Sequence, residues 1–327
     1  MVYKSLLITF IFSSILSISH TWAIFGGAKV IDLDHISKNA NDSWFDSKLG
    51  ERESIRTVLR HIQKSRTGRL ILSKAQKKAS KRGLTLVDII SVGEGSLTDT
   101  TLIRKFSPDS PDKIFYESKS HVYLNKDLTF LNAALDLAHE LTHYTYRDAF
   151  NPYRSQFSLD AFVKSTIEGK GGEVDAYLVE CKVMSELYPS RLRKQSNCGR
   201  VLDNHTGKLS KGLAVKEFYK VGGHYKEIKK YLNMYGSNIR NLKNVSNDEG
   251  LFISSAYSLP YPLAAVKEYV SIMDRACYND RKRLSIFEKN VKGRQIASTS
   301  YSAPRRSKVY ENMKTSYKNR CYMFDSE

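Results

Sequence analysis

The chain has 327 residues, with 52 Lys+Arg against 34 Asp+Glu and a formal net charge of +18. Hydrophobic residues make up 41%, and Gly and Pro are few at 18 and 7, which excludes a disordered tail, a collagen-like chain and a low-complexity linker. The length carries one large domain or two modest ones with a real core, and the charge predicts attraction to anionic matter without specifying a fold.

Residues 1–23 read as a signal peptide. Lys4 gives a positive start, Leu6 to Ile18 is apolar apart from Thr9 and small serines, and Thr21 and Ala23 offer small residues at −3 and −1 of a cleavage site. The apolar stretch is shorter than the ~20 residues a bilayer core takes. The mature chain is expected to be secreted or periplasmic, with no transmembrane span. Cys181, Cys198, Cys277 and Cys321 all follow this segment. An even number in an exported chain implies two disulfides, and of the three connectivities sequence proximity favours Cys181–Cys198 and Cys277–Cys321. None has the CxxC spacing of a zinc knuckle or a redox site.

After an irregular stretch to about Ser47, helical periodicity runs from Glu51 to Lys81. Ile55, Val58, Leu59 and Ile62 form one stripe, Leu70, Leu72 and Ala75 resume it, and the spacing predicts two helices broken near Thr67-Gly68. Branched and aromatic runs at Leu84 to Val92, Lys113 to Glu117 and His121 to Leu124 predict strands, with turns at 109–112 and 118–120. A strong helix is expected from about Leu128 to Arg147 and another from Glu173 to about Leu187, opening after Gly171-Gly172. Beyond Pro189 the chain reads as mostly helical, with a turn at 259–262, a helix through Tyr269 to Arg275, a basic tail from Arg281 to Arg320 and a loop from Ser298 to Pro304. This divides the chain into a signal peptide (1–23), an N-terminal helical segment (24–83), a core (84–190) and a mostly helical basic region (191–327).

The informative residues are His139-Glu140-Leu141-Thr142-His143, an HExxH sequence inside a predicted helix. Positions i and i+4 lie on one helix face, one turn apart, so both imidazoles can reach one ion. Zinc accepts neutral imidazole nitrogen, and Glu140, beside the first histidine, can work as a base on water that the ion acidifies. Leu137, Ala138, Leu141, Thr142 and Tyr144 around them are uncharged, as burial requires. Two buried histidines and a glutamate with no ion would leave costly polar groups.

This pattern resembles the zincin metallopeptidases. The HELTH run is similar to their zinc-binding helix, the preceding His121 to Leu128 looks like the strand that runs beside their substrate, and the likeness covers roughly Leu84 to Leu187. The metzincin subgroup is excluded, because it requires Gly at 146 and His at 149, where this chain has Tyr146 and Ala149. The resemblance implies an α+β fold, a small sheet over the HExxH helix with mostly helical additions at both ends. It also implies a gluzincin-type third ligand from a downstream helical Glu. Glu173, in the run Glu173-Val174-Asp175-Ala176-Tyr177, is the first choice. Glu180 is the nearest rival, and Glu168 precedes the glycines. Tyr177 departs from the Asp that closes the family's segment. Asp175 is a candidate partner for a ligand histidine. An oxyanion donor is expected from His224, Tyr257 or Tyr261, with none assigned.

The expected activity is peptide-bond hydrolysis by an exported zinc metallopeptidase, with His139, His143 and Glu173 as metal ligands and Glu140 as general base. The partners are a peptide or protein substrate and anionic cell-envelope polymers. A nucleic-acid module is not indicated, because no reading helix or RNP-like strand is present. Two alternatives share the site: a basic, cell-wall-associated binding protein with a non-catalytic zinc, and a zinc hydrolase of cell-wall peptide cross-links.

Overall fold

A computed structural model describes residues 42–107, 110–154, 157–192, 196–295 and 303–324. The signal-peptide expectation therefore lies outside the described residues, as do 298–302 of the expected loop. Among the described residues the fold is mixed α+β. Helices α1 (Glu51–Ile62) and α2 (Arg66–Ser80) come first, followed by strands β1 (Ile90–Gly93), β2 (Leu97–Ser107) and β3 (Ser110–Asn125). Then come α3 (Phe130–Tyr146), α4 (Leu159–Ile167), α5 (Glu173–Leu187), α6 (Lys211–Phe218) and α7 (Tyr225–Met234). A short β4–β5 pair (Ile253–Ser254, Leu259–Pro260) precedes the long helix α8 (Tyr261–Gln295) and α9 (Ala303–Cys321).

The break between the first two helices falls at 63–65, earlier than the Thr67-Gly68 expected. Ser65 accepts the Gly68 N–H as an N-cap, which starts α2 at once. Gly68 lies inside the first turn because a Cβ there would sit 2.1 Å from the Ile62 carbonyl oxygen. Its small size serves packing of α2 on the end of α1. Glu186 of α5 accepts the Thr67 N–H at 2.8 Å and the Thr67 hydroxyl at 2.6 Å, placing a carboxylate at the positive end of α2.

The sheet departs from the expected strands in three ways. Residues 84–89 are mostly turn, because the Thr85 hydroxyl and the Asp88 carboxylate close a capping box over a 3-10 turn, leaving β1 at Ile90–Gly93. Lys113 to Leu124 is one continuous strand with no turn at 118–120. β2 was not expected at all; its polar Thr-Asp-Thr-Thr start masks the alternation. The order is β1-β3-β2, with β3 parallel to β1 and antiparallel to β2. His121 to Leu124 is therefore hydrogen-bonded on both sides, with Val122 facing Ile90 and Thr98. It cannot run beside a substrate, and β2 is the edge strand on that side.

The strongest predicted helix, α3, sits between two hydrophobic clusters. Ala133, Ala134, Leu137, Leu141 and Tyr144 pack with α1, α2 and the sheet, whereas Leu131, Leu135 and Ala138 pack with α4 to α8. Its residues from Ala133 to Tyr144 are all buried, so the His139 and His143 side chains are built into the interior. At the C-terminal end, the Pro262 region opens α8 instead of turning the chain, since a proline in the first turn has no N–H to lose. The basic stretch from Arg281 continues α8 to Gln295 and forms α9 from Ala303. Cys277, Asp280 and Phe287 face inward while Lys282 and Lys289 face water.

Both expected disulfides are present, Cys181–Cys198 and Cys277–Cys321, with Cα–Cα distances of 5.6 and 5.7 Å. The second ties the end of α9 to the middle of α8 across a sequence separation of 44. Replacing Cys277 and Cys321 together by Ser is expected to cost about 4 kcal/mol by loop-closure entropy, read as a lower midpoint in urea unfolding. Among the described residues no helix is long and apolar enough to cross a membrane.

Candidate metal centre

His139, Glu140 and His143 form a buried group able to hold a metal ion. The two ring Nε2 atoms lie 3.1 Å apart. Glu173, at the first turn of α5, puts one carboxylate oxygen 3.5 Å from His139 Nε2 and the other 3.5 Å from His143 Nε2. Donor atoms held ~2.0–2.1 Å from a tetrahedral zinc stand ~3.3 Å from one another. The observed spacings straddle that value.

The remaining ring nitrogens decide the protonation. His143 Nδ1 is 2.8 Å from the Gly171 carbonyl oxygen, an acceptor only, so Nδ1–H donates. His139 Nδ1 lies 3.0 Å from Glu180 Oε2 and donates to a carboxylate in the same way. With both Nδ1 protons committed, neutral rings turn two Nε2 lone pairs toward each other and toward the two oxygens of Glu173. Neither Glu173 oxygen has a hydrogen-bond partner among the described residues, although both are buried. Four lone-pair atoms converging in this way repel one another unless positive charge, a proton or a metal ion, sits among them. The donor set therefore fits a metal ion.

Local sequence explains how Glu173 reaches this place. Gly171 has φ +70°, and a Cβ on it would lie 2.6 Å from Tyr146 Cβ. Glycine alone lets the loop touch the end of α3, offer its carbonyl to His143 and then start α5 with Glu173 facing inward. Asp175, a candidate partner for a ligand histidine, does not touch one. It accepts the Gly171 N–H at 3.1 Å and Lys211 Nζ at 2.7 Å, holding this loop. Glu180 takes the position that sequence reasoning considered for Asp175. Glu168 accepts the Tyr219 hydroxyl at 3.0 Å, and Tyr177 packs edge-on against Phe218 and Phe252 in the core.

Glu140 points to the sheet. The Thr98 hydroxyl of β2 lies 2.7 Å from Glu140 Oε2 and 2.8 Å from the Glu140 carbonyl oxygen, so its single proton orients the carboxylate against the edge strand. Burial holds the Glu140 pKa above the usual carboxylate value, opposed by His143 and His139. Burial also works against ionising Glu173, yet the His143 and His139 rings hold its carboxyl down at about 2. For His139 burial disfavours the charged ring, while Glu173 and then Glu180 hold its pKa well above the ordinary imidazole value. These directions describe the same demand for positive charge among the donors.

Two residues at this site were not found from sequence, and a third was found in a different role. Thr98 was hidden with β2. Arg147, one residue past α3, brings Nη1 to 3.6 Å from Glu173 Oε1. Glu180 was weighed only as a rival ligand. Of the three oxyanion candidates, His224 pairs with Glu227 in a part-exposed position, and the Tyr257 hydroxyl donates to Glu268. Tyr261 is fully buried, and its phenol pKa is pushed well up by burial and then by the charges of Glu173, Glu140, Glu180 and Asp136. It is the candidate that shares an electrostatic environment with the site.

No family model, no curated protein and no solved structure matches this chain. The reading of the site rests on its own geometry.

Proposed function

We propose that the chain is an exported zinc-dependent peptidase of zincin type. The observation that carries this is the convergence of His139 Nε2, His143 Nε2 and the Glu173 carboxylate once both Nδ1 protons are committed. His139, His143 and Glu173 hold the ion. Zinc held there supplies Lewis acidity, which can bring the pKa of water from about 15.7 towards 7 and polarise a carbonyl. Glu180 and the Gly171 carbonyl keep both imidazoles in the Nδ1–H tautomer, with Nε2 facing inward. Arg147 offsets part of the Glu173 charge without donating a ligand. Glu140, oriented by Thr98, takes a proton from the attacking water at its carboxylate and delivers it to the leaving amine nitrogen, ending unprotonated as it began. Tyr261 donates its O–H to the oxygen that gains negative charge, and its raised pKa keeps that proton in place at neutral pH. Tyr261→Phe is accordingly expected to lower kcat by roughly 10²–10³-fold while metal content stays at one per chain.

Two disulfides and the reading of residues 1–23 support export into an oxidising compartment. The direct test uses residues 24–327 produced through such a compartment and purified without chelator. One zinc per chain is expected, with hydrolysis of a protein or of purified cell wall that a chelator abolishes and zinc restores. Clearing on cell wall alone would move the substrate to peptide cross-links.

One observation favours a second reading. His139, Glu140, His143 and Glu173 are 1%, 1%, 2% and 0% exposed, and a closed site is what a structural ion needs. A binding protein with a non-catalytic zinc would keep its metal, clear neither substrate and unfold when the metal is stripped.

A further inference from the structure

A second charged cluster lies where the β2–β3 hairpin meets α8 and α9. Arg104 of β2 and Arg320 of α9 both donate to Asp280 of α8, one to each carboxylate oxygen. Arg283 Nη1 stands 3.9 Å from Oδ1 of the same group. Two guanidinium groups thus share one buried carboxylate, and a third approaches it. The Arg104 side chain is 9% exposed and that of Asp280 4%. The Nε atoms of Arg104 and Arg320 are buried with no hydrogen-bond partner among the described residues. The Tyr153 ring stands against both cations, its centre 3.8 Å from Arg104 Cζ and 5.3 Å from Arg320 Cζ. A ring face returns only part of the solvation a guanidinium loses.

These groups line a cavity of about 320 Å³ whose other walls include Tyr116 and Met313. Asp112, the remaining acid on its wall, is exposed to water. The floor is rigid: Asp280 follows Cys277 by one helical turn and Arg320 adjoins Cys321, and these cysteines are bonded to each other. Arg104 also shares a face of β2 with Thr98, the residue that touches Glu140. The six intervening steps of extended strand correspond to about 20 Å.

We propose that this cavity is a carboxylate-binding subsite for an acidic peptide, aligned along the edge of β2. Paired guanidinium groups match the planar geometry of a carboxylate, as Asp280 already demonstrates, and the aromatic and thioether walls suit the carbons of a side chain. The peptide is a substrate only on the peptidase reading; its binding needs neither hydrolysis nor Glu140.

The test is calorimetric titration of zinc-loaded Glu140→Gln protein, which keeps the peptide intact, at about 0.15 M salt, where long-range attraction is screened. The probes are a blocked heptapeptide alternating Gly and Glu, its Gln counterpart, and inorganic phosphate. Saturable binding of one Glu peptide per chain is expected, at least tenfold tighter than the Gln peptide. Adding Arg283→Gln should weaken it about tenfold, whereas Lys229→Gln, which removes an exposed charge on α7, should leave it unchanged. Asp280→Asn should tighten it, because the internal competitor for the arginines is neutralised. No saturable binding of the Glu peptide, equal effects of the Arg283 and Lys229 changes, or binding of phosphate alone would each overturn the proposal. So would a folded Asp280→Asn protein that binds no tighter, since the cluster would then be a structural staple. If Asp280→Asn does not fold, the Arg283 and Lys229 pair decides. Peptide that binds here but is left whole by the wild-type protein would count against the peptidase reading alone.

Discussion

Replacing Glu140 by Gln is expected to reduce hydrolysis by roughly 10²–10⁴-fold, the usual contribution of a positioned general base, while the protein keeps one zinc per chain. Gln preserves the shape of the side chain and can still accept the Thr98 hydroxyl, so folding should change little. What it cannot do is take a proton. The metal count is as informative as the rate, because Glu140 belongs to the group of residues able to hold an ion. If Glu140 were a ligand, the variant would lose its zinc together with its activity. The inward-facing carboxylate of Glu173, 3.5 Å from each Nε2, leads to the opposite expectation. Full activity of the Gln variant on a responsive substrate would refute the mechanism.

Glu173→Gln and Glu180→Gln should separate cleanly by metal affinity. Both carboxylates are buried beside the histidines, but Glu173 meets two Nε2 atoms and Glu180 meets His139 Nδ1. Losing Glu173 removes a charged ligand, and the variant is expected to surrender its zinc to a chelator that the wild type withstands. Losing Glu180 removes only the group that orients His139, for which a 10–100-fold drop in affinity is typical. The reverse order would make Glu180 the ligand. Removing the metal from the wild type should also destabilise the fold, by about 4 kcal/mol relative to protein at a free zinc of ~1,000 Kd. The thermal midpoint with and without chelator measures it.

The parts of this site that could be read in the sequence are those whose spacing is set inside one element. Helical geometry alone puts His139 and His143 on one face, and the uncharged residues between and around them announced a buried helix. The glycine pair before Glu173 announced the start of α5, found at Glu173. Proximity along the chain sufficed for both disulfides. The order of strands is a different kind of fact. After Leu97, β2 runs through Thr98-Asp-Thr-Thr and lacks an apolar alternation, so neither it nor the contact of Thr98 with Glu140 is visible in the sequence, and His121 to Leu124, expected beside a substrate, lies in the central strand. In the basic C-terminal stretch, which reads as mostly helical, the bounds of α8 and α9 were not legible for a related reason: lysine and arginine stems cover apolar surface while their charges dominate the composition.

By itself the sequence determined a helix able to present two imidazoles to one ion, a base beside the first of them, and two acidic residues downstream within reach. Glu173 and Glu180 are seven residues apart, two helical turns, so they share a face and no local rule distinguishes them. Only the packing of α5 against α3 decided which carboxylate meets Nε2 and which meets Nδ1. The reason is one of scale: the two positions differ by about 10 Å along the α5 axis, and that displacement is set by the Gly171 contact with Tyr146 and by the core around both helices. The same holds for the arginine cluster, whose members at 104, 280, 283 and 320 come together only through the hairpin, α8 and the disulfide that fixes α9.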